Sequence, residues 1–569
     1  MRVLLLTHSF NSLCQRLFVE LEAAGHEVSV EFDISDAVTQ EAVALFRPDC
    51  LVAPFLKRAI PEEVWSALPC LIVHPGVEGD RGPSALDWAI LKGVRRWGVT
   101  VLQAEREMDA GPVWASADFP MRPAAKSSLY RNEVTEAAAA AVLEAISRFE
   151  RGNFVPRRVA AASWQPAMHQ RDRVIDWASD DTGKVLRKIW SADGSPGLKS
   201  RLCGRSLYLH DAHAAESLKG GPGEIIGRNG DAIAVATADG AVWTGHLRDP
   251  ESRTPIKLPA LRVLGELGET LPLISSSIGE GYPGISYEEE GGCGFLHFRF
   301  YNGAMSTAAC ERLLAAYREA LLRPIRVLVL MGGPDFWSNG MNLNLIEAAE
   351  SPADESWRNI NAIDEVAEAV LRTDGKMTVA ALQGNAGAGG VFLARAADEV
   401  WLREGIVLSP HYKDMGNLYG SEFWTYSLPR RVGEPQADAI MRRRLPMGPE
   451  EAVRIGLADA HFGLTVNDFF SKVRQRAKAL VSSAGFDERI AHKRMTRAED
   501  ERRKPLSAYL EEELARMRLS FYGFDPSYHI ARYNFVRKVP KSRTPVTIAR
   551  HRDRAGREPT RRASFHPSS

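Results

Sequence analysis

Cysteine is sparse in this chain: six in 569 residues (Cys14, Cys50, Cys70, Cys203, Cys293 and Cys310), and no two form a C-x-x-C pair. That scatter argues against a zinc knuckle or a disulfide frame and fits a reducing compartment. Excess charge is absent too. Lys plus Arg and Asp plus Glu each number 72, so the formal net charge is zero. A balanced chain is not a whole-chain binder of nucleic acid or of anionic membranes, since both need surplus positive charge. No apolar run approaches the roughly 18 residues of a spanning helix. The opening apolar stretch after Arg2 holds only four residues, with no small-residue cleavage site, and is read as a strand, not an export signal. With no HExxH and no paired Cys/His cluster, no metal site is predicted. The expectation is a cytoplasmic protein acting on small molecules.

What is present is ordinary globular composition, 45% hydrophobic and 25% charged. At roughly 100–200 residues per domain the length predicts about three or four domains. Residues 1–165 alternate strand-like runs (VLLL, HEVSVEF, RPDCLVAP, LPCLIVH, GVTVLQAE) with helical patterns, which predicts a Rossmann-like, parallel, doubly wound sheet. Residues 132–151 form an Ala-rich helix. Residues 166–275 are Gly-rich with short alternating runs and read as a small β-barrel, OB-like in size. SSSIGEGYPG (275–284) reads as a linker. Residues 285–465 return to α/β character, and residues 466–569 are mainly helical with a basic end. Residues 537–562 carry ten Lys and Arg against two acids. This stretch reads as a solvated tail, or as a source of one or two arginines for a phosphate.

Two segments of the first domain carry chemistry. LIVHPGVEGDRGPSALDWAI puts His74 at the end of a buried strand before a Gly/Pro-rich loop, and GVTVLQAEREMDAGPVW ends at Asp109. Carboxyl ends of strands are where open α/β sheets bind ligands. An imidazole supported by a carboxylate suits proton transfer during attack on a carbonyl, and a structural histidine in a polar loop is the alternative. These segments, with RPDCLVAPFLKRAIPEE, resemble the formyltransferases that use 10-formyltetrahydrofolate, and the barrel resembles the second domain of methionyl-tRNA formyltransferases. The resemblance implies roles for His74 and Asp109, from an Asn-x-His motif and a distal Asp. Ile72 stands where that motif has asparagine. Losing one oxyanion donor typically costs about 2.7–4 kcal/mol, so either a thiol acceptor makes the chemistry easier or another group donates. Arg131, before the Ala-rich helix, and Ser191, in SADGSPG, are candidate ligand contacts. A surface ion pair and a turn or cap are their plainer readings.

The third domain holds a second pair of segments, FWSNGMNLNLIE and LQGNAGAGGVFLA. Glycines after a strand let backbone approach a ligand, and a helix start leaves free N–H groups. Together they resemble the crotonase (enoyl-CoA hydratase/isomerase) superfamily. The resemblance implies an oxyanion hole from the backbone N–H of Met341 and of Gly389, and coenzyme A contacts at Ser338, Asn339, Asn342, Leu343 and Gly390. Phe392 and Tyr412 fall where hydratases carry glutamates, so water addition is not expected. Tyr412 and Glu422, ten residues on, are the candidate acid/base pair. A packing tyrosine and a surface carboxylate are the alternatives, and His411 reads as structural.

The fusion of these halves resembles the HypX/HoxX hydrogenase maturation proteins over nearly the whole chain. The resemblance implies formyl transfer from 10-formyltetrahydrofolate to coenzyme A, then decarbonylation of formyl-CoA to carbon monoxide for a [NiFe] site. It also implies, as protein partners, a hydrogenase large-subunit precursor or other maturation factors. A formyltransferase or formyl-CoA hydrolase without CO release, and a non-catalytic maturation partner, are the competing expectations.

Overall fold

The computed structural model describes residues 1–160, 163–215, 217–274 and 281–553. Six N-terminal strands lie in the order Glu27–Phe32, Arg2–Thr7, Cys50–Phe55, Cys70–His74, Arg96–Gln103, Val113–Pro120. The alternation within VLLL explains why this run is buried on both faces. Val3 and Leu5 pack toward the helices Ser12–Ala23 and Thr135–Arg151, while Leu4 and Leu6 pack toward Asp36–Phe46. The expected all-parallel sheet holds for the first four strands only. Cys70–His74 pairs antiparallel with Arg96–Gln103, which pairs antiparallel with Val113–Pro120. The last connection is too short for a crossover helix, so the chain must double back.

Five antiparallel strands follow in the order Ile225–Asn229, Ala232–Ala236, Ala241–Arg248, Arg205–Ala214, Leu198–Leu202, with Lys257–Pro259 beside Ala241–Arg248. The helix Thr182–Ser191, capped by the Asp181 side chain, lays Val185, Leu186 and Ile189 on this sheet. Among the described residues no pair closes the two ends of the path, as in a partly open barrel.

The third sheet runs Ile285–Glu290, Cys293–Phe298, Val327–Leu330, Met377–Leu382, Glu399–Leu402, Ala460–His461, parallel after its first pair. A layer of three short parallel strands, Phe336–Ser338, Asn385–Gly387 and Leu408–Ser409, stands over it. Those short strands carry the motif segments. The C-terminal helices Leu506–Tyr522 and Ser527–Val536 put Met517, Phe521 and Tyr528 into this domain's core. The segment 275–284, expected to be a linker, lies mostly outside the described residues.

The two α/β halves meet along polar contacts. A π-helical turn over Tyr130–Val134 precedes the Ala-rich helix. Such turns shift side-chain direction by one residue and recur at functional sites. Here Asp335 accepts from Ser128 Oγ (2.7 Å) and Asn132 Nδ2 (2.9 Å), and Arg131 donates to Asn302 (2.9 Å).

The basic end is not a solvated tail as far as residue 553. Ile548 O accepts from Val30 N (2.9 Å), covering the exposed edge of Glu27–Phe32. The fully buried His551 ring bridges Ser29 Oγ (2.7 Å) and Glu31 Oε2 (3.0 Å), and Arg552 Nε adds 2.6 Å to the same carboxylate. Burial by itself would raise the Glu31 carboxyl. Hydrogen bonds from His551, Thr544 and Arg552 outweigh burial and hold it below its ordinary value. Basic residues of this end therefore pair with a buried acid of the first domain.

A carboxylate with a depressed pKa stabilises the fold above its unfolded pKa and loses that contribution as pH falls through the folded one. Glu31→Gln is therefore expected to cost about 1–3 kcal/mol at neutral pH. The difference from the unsubstituted chain should vanish in strong acid. Urea unfolding at several pH values checks both.

Candidate active site

His74 ends its strand with the ring buried between two carboxylates. Nε2 lies 2.9 Å from Asp80 Oδ2, and Nδ1 lies 3.6 Å from Asp109 Oδ2. The loop after it is pinned by Trp97 Nε1 on Pro75 O (2.9 Å) and Thr100 Oγ1 on Gly76 O (2.8 Å). Gly76 has no alternative there, because a Cβ would stand 2.4 Å from His74 Nε2. Asp109 sits in the left-handed region (φ 52) and accepts from Gly82 N (3.0 Å). The orienting contact expected from Asp109 is thus made by Asp80, on the side away from the cavity. A carboxylate on Nε2 fixes that nitrogen as the protonated one. Nδ1 and Asp109, too far apart for an ordinary hydrogen bond, face the cavity together. Sequence reading missed Asp80, six residues beyond His74 in the same loop.

Ile72 also lines the cavity, an apolar group where the family's motif has a donor. On the neighbouring strand Gln103 pairs with Leu71, so its side chain lies on the sheet face opposite Ile72, where its Oε1 accepts from Trp114 Nε1 (3.0 Å).

In the third domain Tyr412 lies on the cavity wall, stacked at 5.3 Å and 17° on Phe392. Its hydroxyl reaches Glu422 Oε2 (2.6 Å) and Ser421 O (3.0 Å). Glu422 (φ 61) and Phe423 (φ 57) are consecutive left-handed residues, a strain of order 1–3 kcal/mol each that surrounding contacts must hold. Glu422 stands behind Tyr412, off the cavity lining. Burial pushes its carboxyl up to about 7, against the lowering effect of the Tyr412 hydrogen bond, and burial beside Glu422 drives the Tyr412 phenol well above its ordinary value.

The segment 338–343 runs beside the start of the helix Gly389–Arg395: a Cβ on Gly340 would stand 3.6 Å from Gly389 N. Ala388 (φ 47, ψ -128) holds an unfavourable backbone conformation that aims this helix start. Among the described residues no protein acceptor takes the N–H of Met341 or of Gly389. A Cβ on Gly389 would strike Glu422 Oε1 at 2.1 Å, so glycine lets the carboxylate approach the helix start.

Met341, Asn339, Asn342, Leu343 and Arg131 line the cavity. Asn342 is also engaged structurally, its Oδ1 capping the following helix at Leu345 N (3.1 Å). Four expected ligand contacts lie off the lining, Gly389 among them, although its neighbour Ala388 is on it. Ser191 is fully buried and bonds back to Lys188 O (2.8 Å), while Gly194 and Ser195 of its loop line the cavity instead. Ser338 is buried with its Oγ accepting from Gly340 N (3.0 Å), and Gly390 packs against it, since a Cβ would meet Ser338 O at 2.2 Å. These two shape the wall. His411, read as structural, lines the cavity, and burial lowers its pKa.

One cavity of about 2220 Å³ includes both His74 and Tyr412 in its lining. Eleven Lys and Arg side chains line it against five Asp and Glu, among them Lys257, Arg248 and Lys538. That surplus fits a ligand with several phosphates. The basic end of the chain contributes Arg537, Lys538 and Lys541 to this wall. Among the described residues no group of three His, Cys, Asp or Glu could hold a metal, and no helix is long and apolar enough to cross a membrane.

The family model for formyl transferase matches residues 23–146, that for the formyl transferase C-terminal domain 167–257, and that for enoyl-CoA hydratase/isomerase 299–520. Hydrogenase maturation factor HoxX of Bradyrhizobium diazoefficiens is 57% identical over 97% of this chain and 98% of its own length. The crystal structure of HypX from Aquifex aeolicus in complex with tetrahydrofolic acid is 52% identical, covers 97% of this chain and 99% of its own, and superposes with a TM-score of 0.95. A methionyl-tRNA formyltransferase of Syntrophus aciditrophicus is 24% identical over 39% of this chain. With one architecture shared from end to end, the chain belongs to the HypX/HoxX family of hydrogenase maturation factors, a formyltransferase-like half fused to a crotonase-like half.

Proposed function

We propose that this protein makes carbon monoxide for a [NiFe]-hydrogenase metal site in two steps. Formyl passes from 10-formyltetrahydrofolate to the thiol of coenzyme A, and formyl-CoA is then split into CO and coenzyme A. Both compounds enter as substrates. The observation that carries this reading is the shared cavity with His74 at one position on its wall and Tyr412 at another. A reactive thioester can then move between centres while shielded from water.

In the first step His74, held through Nε2 by Asp80, takes the thiol proton at Nδ1 with Asp109 alongside. Sulfur attacks the formyl carbon, and as the C–N10 bond breaks the imidazolium returns that proton to the departing folate nitrogen. In the second step the amides of Met341 and Gly389 polarise the formyl oxygen. Tyr412 takes the formyl proton while passing its own to Glu422, the C–S bond breaks, and the relay runs back to protonate sulfur. Carbon monoxide and thiol leave with no change in oxidation balance. Ser421 O gives the Tyr412 hydroxyl a second acceptor, so the phenol can turn as Glu422 gains and loses its proton. A hydrogenase precursor is the proposed recipient of the CO.

Two substitution tests follow. His74→Gln is expected to lower formyl-CoA formation by roughly 10²–10⁴-fold. It should leave CO release from supplied formyl-CoA intact. Tyr412→Phe should do the reverse, with formyl-CoA accumulating; labelled CO, formyl-CoA and formate are measured together. Formate in place of CO would overturn the decarbonylation step. Because the relay needs ionised Glu422, CO release from formyl-CoA should rise with pH through about 7. A pH–rate profile flat across that range would refute the assignment.

A further inference from the structure

Behind the Tyr412–Glu422 pair lie two more buried carboxylates that the steps above do not use. Asp364, on the helix Pro352–Leu371, accepts from Glu422 N (2.7 Å) and from Ser421 Oγ at both oxygens (2.7 Å each). Glu513, on Leu506–Tyr522, accepts from Phe423 N (3.0 Å), Thr425 N (2.8 Å) and Thr425 Oγ1 (2.5 Å). Each therefore holds one amide of the two left-handed residues. Asp364, Glu422 and Glu513 are at most 2% exposed. Among the described residues none of the three pairs with a Lys, Arg or His. The other titratable groups facing Glu422 are the Tyr412 phenol and the Cys310 thiol of the helix Thr307–Leu322.

Three carboxylates so close, without a cation, cannot all be ionised at neutral pH. Hydrogen bonding decides which one gives way. Asp364 and Glu513 each receive donors on both oxygens, which suits an anion. Glu422 receives the Tyr412 hydroxyl on Oε2, and its Oε1 abuts the α-carbon of Gly389. When Tyr412 donates to Ser421 O instead, the 2.6 Å contact needs a proton from Glu422.

We propose that Asp364 and Glu513 are positioning residues for the Tyr412–Glu422 relay: each binds one amide of the strained turn, and the negative charge they carry between them keeps a proton shared by the pair. This rests on the reading of Tyr412 and Glu422 as the proton-handling groups. The two acids bracket the turn from different helices, one of them from the C-terminal part of the crotonase-like half. Burial and the neighbouring charges raise Asp364 and burial raises Glu513, against the lowering effect of the donors on each, so the cluster holds fewer than three charges at neutral pH.

The test uses the full chain with Asp364→Asn and Glu513→Gln, which keep an acceptor oxygen and remove the charge. Their acid-side midpoint for CO release from formyl-CoA should move to lower pH by about one unit. The KM for formyl-CoA and the formyl transfer of the first half should stay unchanged. Glu513→Asp, which keeps the charge, should retain the midpoint of the unsubstituted chain. Infrared titration of the protonated-carboxyl band that Glu422→Gln removes reads the same shift without turnover. It therefore decides the proposal even if no CO is released, an outcome that would overturn only the decarbonylation reading. Unmoved midpoints in folded variants, or a loss of rate equal at every pH, would overturn the proposal.

Discussion

The contact between the two α/β halves is the constraint on which the rest of this molecule depends. It is polar and converges on a few groups. Asp335 takes donors from Ser128 and Asn132, and Arg403 reaches Asn132 Oδ1 at 3.3 Å from the other side. Arg16 links Glu20 and Glu136 to the carbonyl of Gly405. Hydrogen bonds to charged groups contribute about 1.5–3 kcal/mol each, far more than exposed ion pairs, and their direction fixes orientation. Asp335 immediately precedes Phe336–Ser338, the strand that leads into the segment beside the Gly389 amide. The contact that joins the halves therefore also sets the wall of the cavity they share. The π-helical turn at Tyr130–Val134 lets Arg131 face that cavity while Asn132 faces the seam.

Within this frame the two centres handle charge differently. At His74 a base is bracketed by carboxylates on either side, one fixing it and one facing the cavity. At Tyr412 an acid/base pair is backed by further acids with no cationic partner among the described residues, and burial works to hold protons in place. In the proposed reaction the first arrangement serves to remove a proton from a thiol, and the second serves a proton that must leave carbon and return to sulfur. Phe392 is part of the second design. It replaces a potential carboxylate with a ring that stacks on Tyr412 and keeps the phenol in its slot.

The C-terminal segment extends the same economy of contacts. Residues 544–552 cross to the first sheet and satisfy a buried glutamate and an open strand edge, after 537–541 have lined the cavity. Basic residues there serve two surfaces: Arg552 binds Glu31, and Lys538 and Lys541 face the polyanion-fitting cavity. Charge count by itself cannot separate those roles, because each depends on which acid lies opposite after folding.

Much of this was legible in the residues. Apolar runs of four to six, separated by helical spacing, determined three α/β or β units, since burial on one or both faces leaves a periodic trace. His74 and Asp109 were singled out at strand ends, and Met341, Gly389 and Tyr412 through the resemblance of their segments to the crotonase superfamily. What the sequence could not determine is long-range pairing. Asp80 displaces Asp109 as the orienting carboxylate because a loop closes back on the imidazole. Ser191 turns inward because its hydroxyl can reach a carbonyl of its own helix. Asp364 and Glu513 lie 58 and 91 residues from Glu422 in the chain, and their carboxylates reach the amides of one strained turn only after three elements pack together. Local chemistry is written in residue spacing; the pKa of a buried acid is set by its neighbours, and only tertiary structure chooses those.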